Sequence, residues 1–304
     1  MSLDLDALLV DLAACGRRVR EAIVRAEQAR LADVVGMGAD GFDTSFVDRI
    51  AEVAALEALD EIEPRMNVLS EEVGFVDRGS ALTAIVDPVD ATNNATAVPH
   101  FVGHGPVRPA LAASDHVHGF PYYAFSVGVL DDQRLVAGCV MNLATGHVFA
   151  ARSGGPVLVD GYVARASDAE TLSQARVALI RPETAPAWRA LAPIMVGARR
   201  VRITGCSALD LALIACGTLD ALVNPNRVSP AGYGEKIVDY AGALVMLEAT
   251  GGVLTAFDGM PVPVTLDLTR RAPIVGACSP ALHAQLLEAL HREPWDDIEG
   301  ATHG

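Results

Sequence analysis

The sequence predicts an α+β fold in which mixed sheets are layered between helices, and three observations predict it. Two short apolar runs, "MNVLSEE" and "LTAIVDP", end in acids, as strands do when they deliver carboxylates to one sheet edge. Three more strand-like runs, "YYAFSVGVL", "RLVAGCVMN" and "GHVFAA", are separated by turn signals at Asp131-Asp132 and Thr145-Gly146, the pattern of an antiparallel meander. The second half then alternates strand and helix patterns.

Taken in order, residues 4–30 carry Leu5, Leu8, Leu9, Leu12, Val19 and Ile23 at mostly three- and four-residue spacing, one face of an amphipathic helix. "VVGMGADGFDTS" reads as a glycine-rich loop ending in helix-capping residues. It lacks a clear βαβ frame, so its value as a nucleotide-binding signal is weak. A second helix runs from about Phe46 to Leu59, with Phe46, Val47, Ile50, Val53 and Ala54 as its apolar face. Residues 95–120 show neither period and read as a long loop or lid. Beyond the meander come strand "RVALI", a helix near 186–196, strand "RRVRI", helix "SALDLALIACG" and strand "LDALV". A helix at 236–249, strands "GVLTA" and "APIVGAC" and helix "PALHAQLLEAL" complete the chain. Residues 1–160 form an N-terminal α+β half and 161–304 a C-terminal α/β half in this reading.

With 304 residues, 51% of them hydrophobic and 20% charged, the chain is long and apolar enough for a large core. No apolar run approaches the ~18 residues of a membrane span. Asp4 and Asp6 give the N-terminus the wrong sign for a signal peptide, so a cytoplasmic protein with no membrane partner is expected. Cys15, Cys139, Cys206, Cys216 and Cys278 form no CxxC pair and read as reduced, buried small residues. The net charge of −15 argues against nucleic-acid binding, which needs basic patches to displace counterions. A small phosphorylated substrate is compatible with that charge only if cations help to hold it.

Four acidic stations stand out: Asp48, Glu71-Glu72, the pair Asp87 and Asp90 around Pro88, and the distant Asp239. Singly, each reads as a cap, a turn or a surface residue. Jointly they suit hard divalent ions, which take carboxylate oxygens, waters and substrate phosphate as ligands. Two such ions ~4 Å apart can activate a water and stabilise a leaving oxygen.

The joint pattern of "SEE" (70–72), "DPVDATNN" (87–94) and "VDYAG" (238–242) resembles the inositol monophosphatase superfamily of metal-dependent, lithium-sensitive phosphatases. "VVGMGADGFDTSFVDRIAE" is most similar to archaeal members active on inositol phosphates and fructose 1,6-bisphosphate, and the likeness continues through "GCSALDLALIACGTLDALV" and "EATGGVLT". The resemblance implies a layered α-β-α-β-α sandwich, a homodimer, and a phosphomonoesterase for a small phosphorylated polyol, sugar or nucleoside. It implies two or three Mg²⁺ ions and a metal-activated water, without a covalent intermediate. Glu71, Asp87 and the Val89 carbonyl would hold one ion, and Asp87, Asp90 and Asp239 a second. Glu71 would position a water on a third. Thr92, paired with Asp48, would activate the attacking water. The amides of Ala91 and Thr92 would receive the phosphate.

Around that centre, Asn94 is expected to tie the turn by side-chain hydrogen bonds. Gly205 and Ser207 match the family's sugar-facing loop, although Ser207 with Asp210 also forms an S-x-x-D capping pattern. Lys236 reads either as a contact for a substrate phosphate or carboxylate, or as a solvated lysine at a helix start.

The chain departs from the family at Ala91, where the pattern has glycine, at Val238 in place of tryptophan and at Ala95 in place of phenylalanine. If position 91 needs φ > 0, alanine costs on the order of 1 kcal/mol. Residues 95–120 are an insertion, and "NPNRVSPAGYGEKIVD" is also rebuilt. Metal ligands kept beside rebuilt substrate-facing segments suggest a changed substrate. The insertion carries His100, His104, His116 and His118, which read as a metal site, a substrate-contacting lid or a plain surface loop. The competing reading is a catalytically weak paralogue that binds a phosphorylated metabolite or a protein partner.

Overall fold

The computed structural model describes residues 3–97, 119–226 and 234–291. Most of the insertion, its four histidines and part of the second rebuilt segment lie outside the described residues.

Helix α1 (Leu5–Arg25) starts at Asp4, whose Oδ1 accepts the amides of Asp6 and Ala7, and it buries Leu8, Leu9, Leu12, Val19 and Ile23 as their spacing predicts. The expected glycine-rich loop is instead a small antiparallel hairpin of β1 (Val34–Met37) and β2 (Asp43–Ser45). Its short strands stand mostly exposed and show no apolar alternation, so period-2 reading had nothing to find. Helix α2 (Phe46–Asp60) opens on a capping box between Ser45 and Asp48. Its buried stripe runs through Val47, Ala51, Ala55, Ala58 and Leu59, whereas Val53, expected inside, is 48% exposed. The burying positions are mostly alanines, which carry a weak apolar signal and shifted the predicted face.

The first sheet takes β3 (Asn67–Ser70), β4 (Gly74–Val76), β5 (Leu82–Asp90), β6 (Ala124–Asp131), β7 (Arg134–Asn142), β8 (Val148–Arg152), β9 (Val157–Val159) and β10 (Tyr162–Ala164). Its order is β10-β9-β8-β7-β6-β5-β3-β4, antiparallel except for the pair β3 and β5. A single-turn helix, α3 (Thr92–Thr96), follows β5. Alternate side chains face opposite layers: Val68, Ala84 and Val86 join the core under α1 and α2, while Leu69 and Ile85 join the core on the other side.

The second half holds β11 (Arg176–Leu179), α4 (Ala185–Gly197), β12 (Arg200–Ile203), α5 (Ser207–Ala215), β13 (Ala221–Asn224), α6 (Ile237–Ala249), β14 (Val253–Ala256), β15 (Ile274–Ala277) and α7 (Pro280–Leu290). The strands form a mixed five-stranded sheet in the order β12-β11-β13-β15-β14. Helices α5 and α6 pack on each other between the two sheets, and α4 packs with α7 on the far side. The result is five layers, α-β-α-β-α. Helix α6 lies unusually close to the first sheet: a Cβ on Gly138 would sit 2.1 Å from the Gly242 carbonyl oxygen, and one on Gly128 2.7 Å from that of Ala241. Glycine at these positions lets backbone meet backbone, and so fixes where the start of α6 stands. Among the described residues, no helix is long and apolar enough to cross a membrane.

Candidate active site

Residues three apart on a regular strand point to opposite faces, so Asp87 and Asp90 should not meet. They do because β5 carries one extra residue: Asp87 pairs with Ser126, but Asp90 pairs with Ala124, two residues on, across a register shift at Pro88 and Val89. The bulge turns both carboxylates into one pocket. Pro88 has no amide to offer the ladder and tolerates the irregularity. The Val89 amide, freed from the ladder, donates to Asp87 Oδ1 at 3.0 Å.

Glu71 follows the end of β3, whose parallel register sets Ser70 beside Val86 and thus Glu71 beside Asp87. Asp239 arrives from the first turn of α6, where its Oδ2 accepts the Lys236 amide at 2.6 Å. Carboxylate oxygens of Glu71, Asp87 and Asp239 lie within 4.8 Å of one another. Asp90 lines the same pocket with its Oδ2 turned to the start of α5, where it accepts the Ala208 amide at 2.7 Å and the Cys206 thiol at 3.2 Å.

Burial, and then mutual repulsion, push these acids up: Glu71, Asp90 and Asp239 each to about 7, and Asp87 well above its ordinary value. Four carboxylates crowd this recess against one internal cation, the Lys236 ammonium at Glu71, so a further cation among them would relieve their repulsion. An all-oxygen donor set of this kind fits a hard divalent ion.

Across the recess, Thr92 Oγ1 donates to Asp48 Oδ1 at 2.7 Å and also lies 3.2 Å from the Val89 carbonyl. Asp48 Oδ2 is held by the Ser45 amide at 3.0 Å and the Ser45 hydroxyl at 2.7 Å, so one residue caps α2 and orients Thr92. Burial raises the Asp48 carboxyl, against the hydrogen bonds from Thr92 and Ser45.

Ala91 precedes α3 at φ 71°, ψ 51°, in the left-handed region. The glycine-for-alanine question therefore has a definite answer: the backbone here favours glycine. Ala91→Gly is expected to raise stability by about 1 kcal/mol, read as a higher urea midpoint at unchanged slope. An unchanged or lower midpoint would mean that the methyl gains more from its packing than the left-handed backbone costs.

Asn94 uses its amide to bridge elements distant in sequence, donating to the carbonyls of Tyr122 at 2.7 Å and Thr204 at 2.9 Å. It ties α3 to the loop before α5 rather than tying the turn to itself. The Asn94 backbone carbonyl also accepts the amide of Phe120 at 2.8 Å, so the chain on either side of 98–118 meets beside the site. Gly205 and Ser207 both line the pocket. The capping reading of Ser207 with Asp210 does not hold: Cys206 is the N-cap, Ser207 Oγ donates to Glu235 at 2.6 Å, and Asp210 accepts from Tyr122 and Thr204. Nor is Lys236 a solvated lysine, for it is 4% exposed and its ammonium joins Asp40 and Glu71.

Several residues at the site were missed in the sequence, three of them in its network of ion pairs and hydrogen bonds. Asp40 sits in the β1–β2 turn, Glu235 accepts from Ser207 and Asn224, and Arg271 donates to Asp40. Only Asp40 carried a signal, an acid inside a glycine-rich turn; Glu235 is an isolated charge in the rebuilt segment before the 236–249 helix, and Arg271 one just before strand "APIVGAC".

A model of the inositol monophosphatase family matches residues 112–294. The fructose-1,6-bisphosphatase/inositol-1-monophosphatase of Archaeoglobus fulgidus is 31% identical over 94% of this chain and 98% of its own length. That of Thermococcus kodakarensis is 29% identical over 86% of this chain and 88% of its own. Among solved structures, the extragenic suppressor protein suhB of Bartonella henselae superposes with a TM-score of 0.74 at 22% identity, covering 95% of this chain and 100% of that one. Five layers, a recess of acids and a family match over most of the chain agree: the chain belongs to the inositol monophosphatase family and is a phosphoric monoester hydrolase.

Proposed function

We propose that the chain is a Mg²⁺-dependent phosphatase of small phosphorylated polyols, sugars or nucleosides, working as a cytoplasmic homodimer. The observation that carries the metal dependence is the approach of Glu71, Asp87 and Asp239 to within 4.8 Å of one another. These three, with Asp90 and the Val89 carbonyl, would hold two or three ions. When bound, Mg²⁺ supplies positive charge to the phosphate oxygens and makes water nucleophilic at neutral pH.

The remaining work falls to the chain's own groups. Asp48 accepts a hydrogen bond from the Thr92 hydroxyl, which leaves the Thr92 lone pairs turned to accept a hydrogen bond from a water in the recess. As first-turn amides, those of Ala91 and Thr92 have no acceptor within α3 and are assigned to the phosphate. Beyond the metals the pocket wall offers Ser207, Asn224, Glu235 and Arg181, a polar lining suited to a substrate rich in hydroxyls. The names of the two archaeal relatives make inositol phosphates and fructose 1,6-bisphosphate the first compounds to try.

The test is phosphate release across a panel of phosphorylated polyols, sugars and nucleosides. Turnover of at least one is expected with Mg²⁺, lost in EDTA and restored by added Mg²⁺. No turnover on any compound, with tight binding retained, would establish the weak-paralogue reading instead.

A further inference from the structure

Within the recess of acids, one cation comes from the chain itself. The Lys236 side chain is 5% exposed, and its ammonium lies 2.8 Å from Asp40 Oδ2 with its second partner at Glu71 Oε1. Burying an ammonium is costly unless charge and hydrogen bonds compensate it, and here the Asp40 and Glu71 carboxylates both accept from it. Their spacing is not left to side-chain chance. The Asp40 amide donates to the Glu71 carbonyl at 3.3 Å and the Ala39 amide to the Glu72 carbonyl at 3.0 Å, so backbone pins the hairpin turn onto the end of β3.

Asp40 is further committed: Arg271 Nη2 reaches the same oxygen at 3.2 Å, and the guanidinium stacks 4.8 Å over the Phe42 ring. Among the described residues Glu71 has no such second cation, and it belongs at the same time to the cluster with Asp87 and Asp239. Two carboxylates sharing one point charge form the arrangement a divalent ion would enter, and the ammonium already stands there. The same residue starts α6, where Asp239 accepts its amide, so the internal cation and a proposed metal ligand share one helix start.

The geometry points to Lys236 as a tethered cation that fills the Asp40–Glu71 corner of the site and keeps a divalent ion out of it. This rests on the metal-site reading above and adds that the chain takes one ion fewer than its acids would otherwise draw in. Arginine at 236 keeps the charge, methionine removes it, and glutamine removes it while retaining donors for Asp40 and Glu71.

The experiment counts Mg²⁺ bound per chain by equilibrium dialysis at saturation and follows melting temperature against Mg²⁺ concentration. Lys236→Met and Lys236→Gln are expected to bind one more ion per chain than the parent, and their melting temperatures to rise more steeply with Mg²⁺. Lys236→Arg is expected to match the parent in both. Equal ion counts in the parent and the neutral variants overturn the inference, as does a gain of an ion in Lys236→Arg. Failure of both neutral variants to fold at saturating Mg²⁺ also overturns it, since an ion then cannot replace the ammonium. A parent that binds no divalent ion overturns the metal-site reading itself, an outcome distinct from the others.

Discussion

Asp87→Asn is expected to lower phosphate release by about a hundred- to a thousandfold, the scale on which losing a charge aimed at the reacting group is felt. It is also expected to make the metal-free protein more stable than its parent. Asp87 is 2% exposed and faces Glu71, Asp90 and Asp239, so its charge is repelled from three sides in the absence of cations. Asparagine keeps an oxygen for the Val89 amide and preserves the bulge, while it removes one negative charge from the recess. Stability and activity should therefore move in opposite directions, as at other sites built for function. Turnover at saturating Mg²⁺ and melting in EDTA are the two measurements. A variant that works at the parent rate would remove Asp87 from the proposed ligand set.

The same crowding gives the metal-free parent a pH dependence with a definite sign. Glu71, Asp90 and Asp239 bind protons in the folded state up to about pH 7, against ordinary values of 4.5 and 3.8 in the unfolded chain. Between those limits the folded state holds more protons, so its stability is full at the acid end and falls as pH rises through about 7. Asp40, whose carboxyl burial would raise but Lys236 holds down, acts the other way only at more acid pH. In EDTA the melting temperature should drop from pH 5 to pH 8, and saturating Mg²⁺ should flatten the slope.

What could be read from the sequence and what could not divide along physical lines. An apolar run that ends in an acid marks a strand end locally, and Glu71, Asp87 and Asp90 were legible for that reason. Their convergence was expected from the motif around Pro88 and from the resemblance, but the bulge that aims Asp87 and Asp90 together could not be read, because it exists only in the pairing of β5 with β6. The Ser207–Asp210 capping pattern is local and sound as a pattern. It lost to tertiary partners: Glu235 for Ser207, Tyr122 and Thr204 for Asp210. The cost at Ala91 could be stated only as a condition on φ until the backbone supplied 71°. Lys236 and Asp40 are 196 residues apart, and neither segment predicts the other. Long-range ion pairs of buried residues leave no period or spacing to detect.

Thr92→Val is expected to lower turnover about a hundredfold with the number of bound Mg²⁺ ions unchanged, the lower end of what a positioned proton-transfer group contributes. Valine keeps the shape of threonine and removes the hydroxyl that joins Asp48 Oδ1 at 2.7 Å. If the two residues act as a unit, Asp48→Asn should cost a similar factor, and the double variant should be scarcely worse than either alone. Asp48 has a second task, since its Oδ2 accepts the Ser45 amide and hydroxyl at the start of α2. Asp48→Asn should therefore also lose about 1 kcal/mol of stability, as a weakened helix cap does, whereas Thr92→Val should lose less. Thr92→Ser restores a hydroxyl and should recover most of the turnover. Stability measured by urea unfolding thus separates the capping role from the orienting one. Multiplicative losses in the double variant would show that Asp48 does not act through Thr92 and that the water is oriented by other groups.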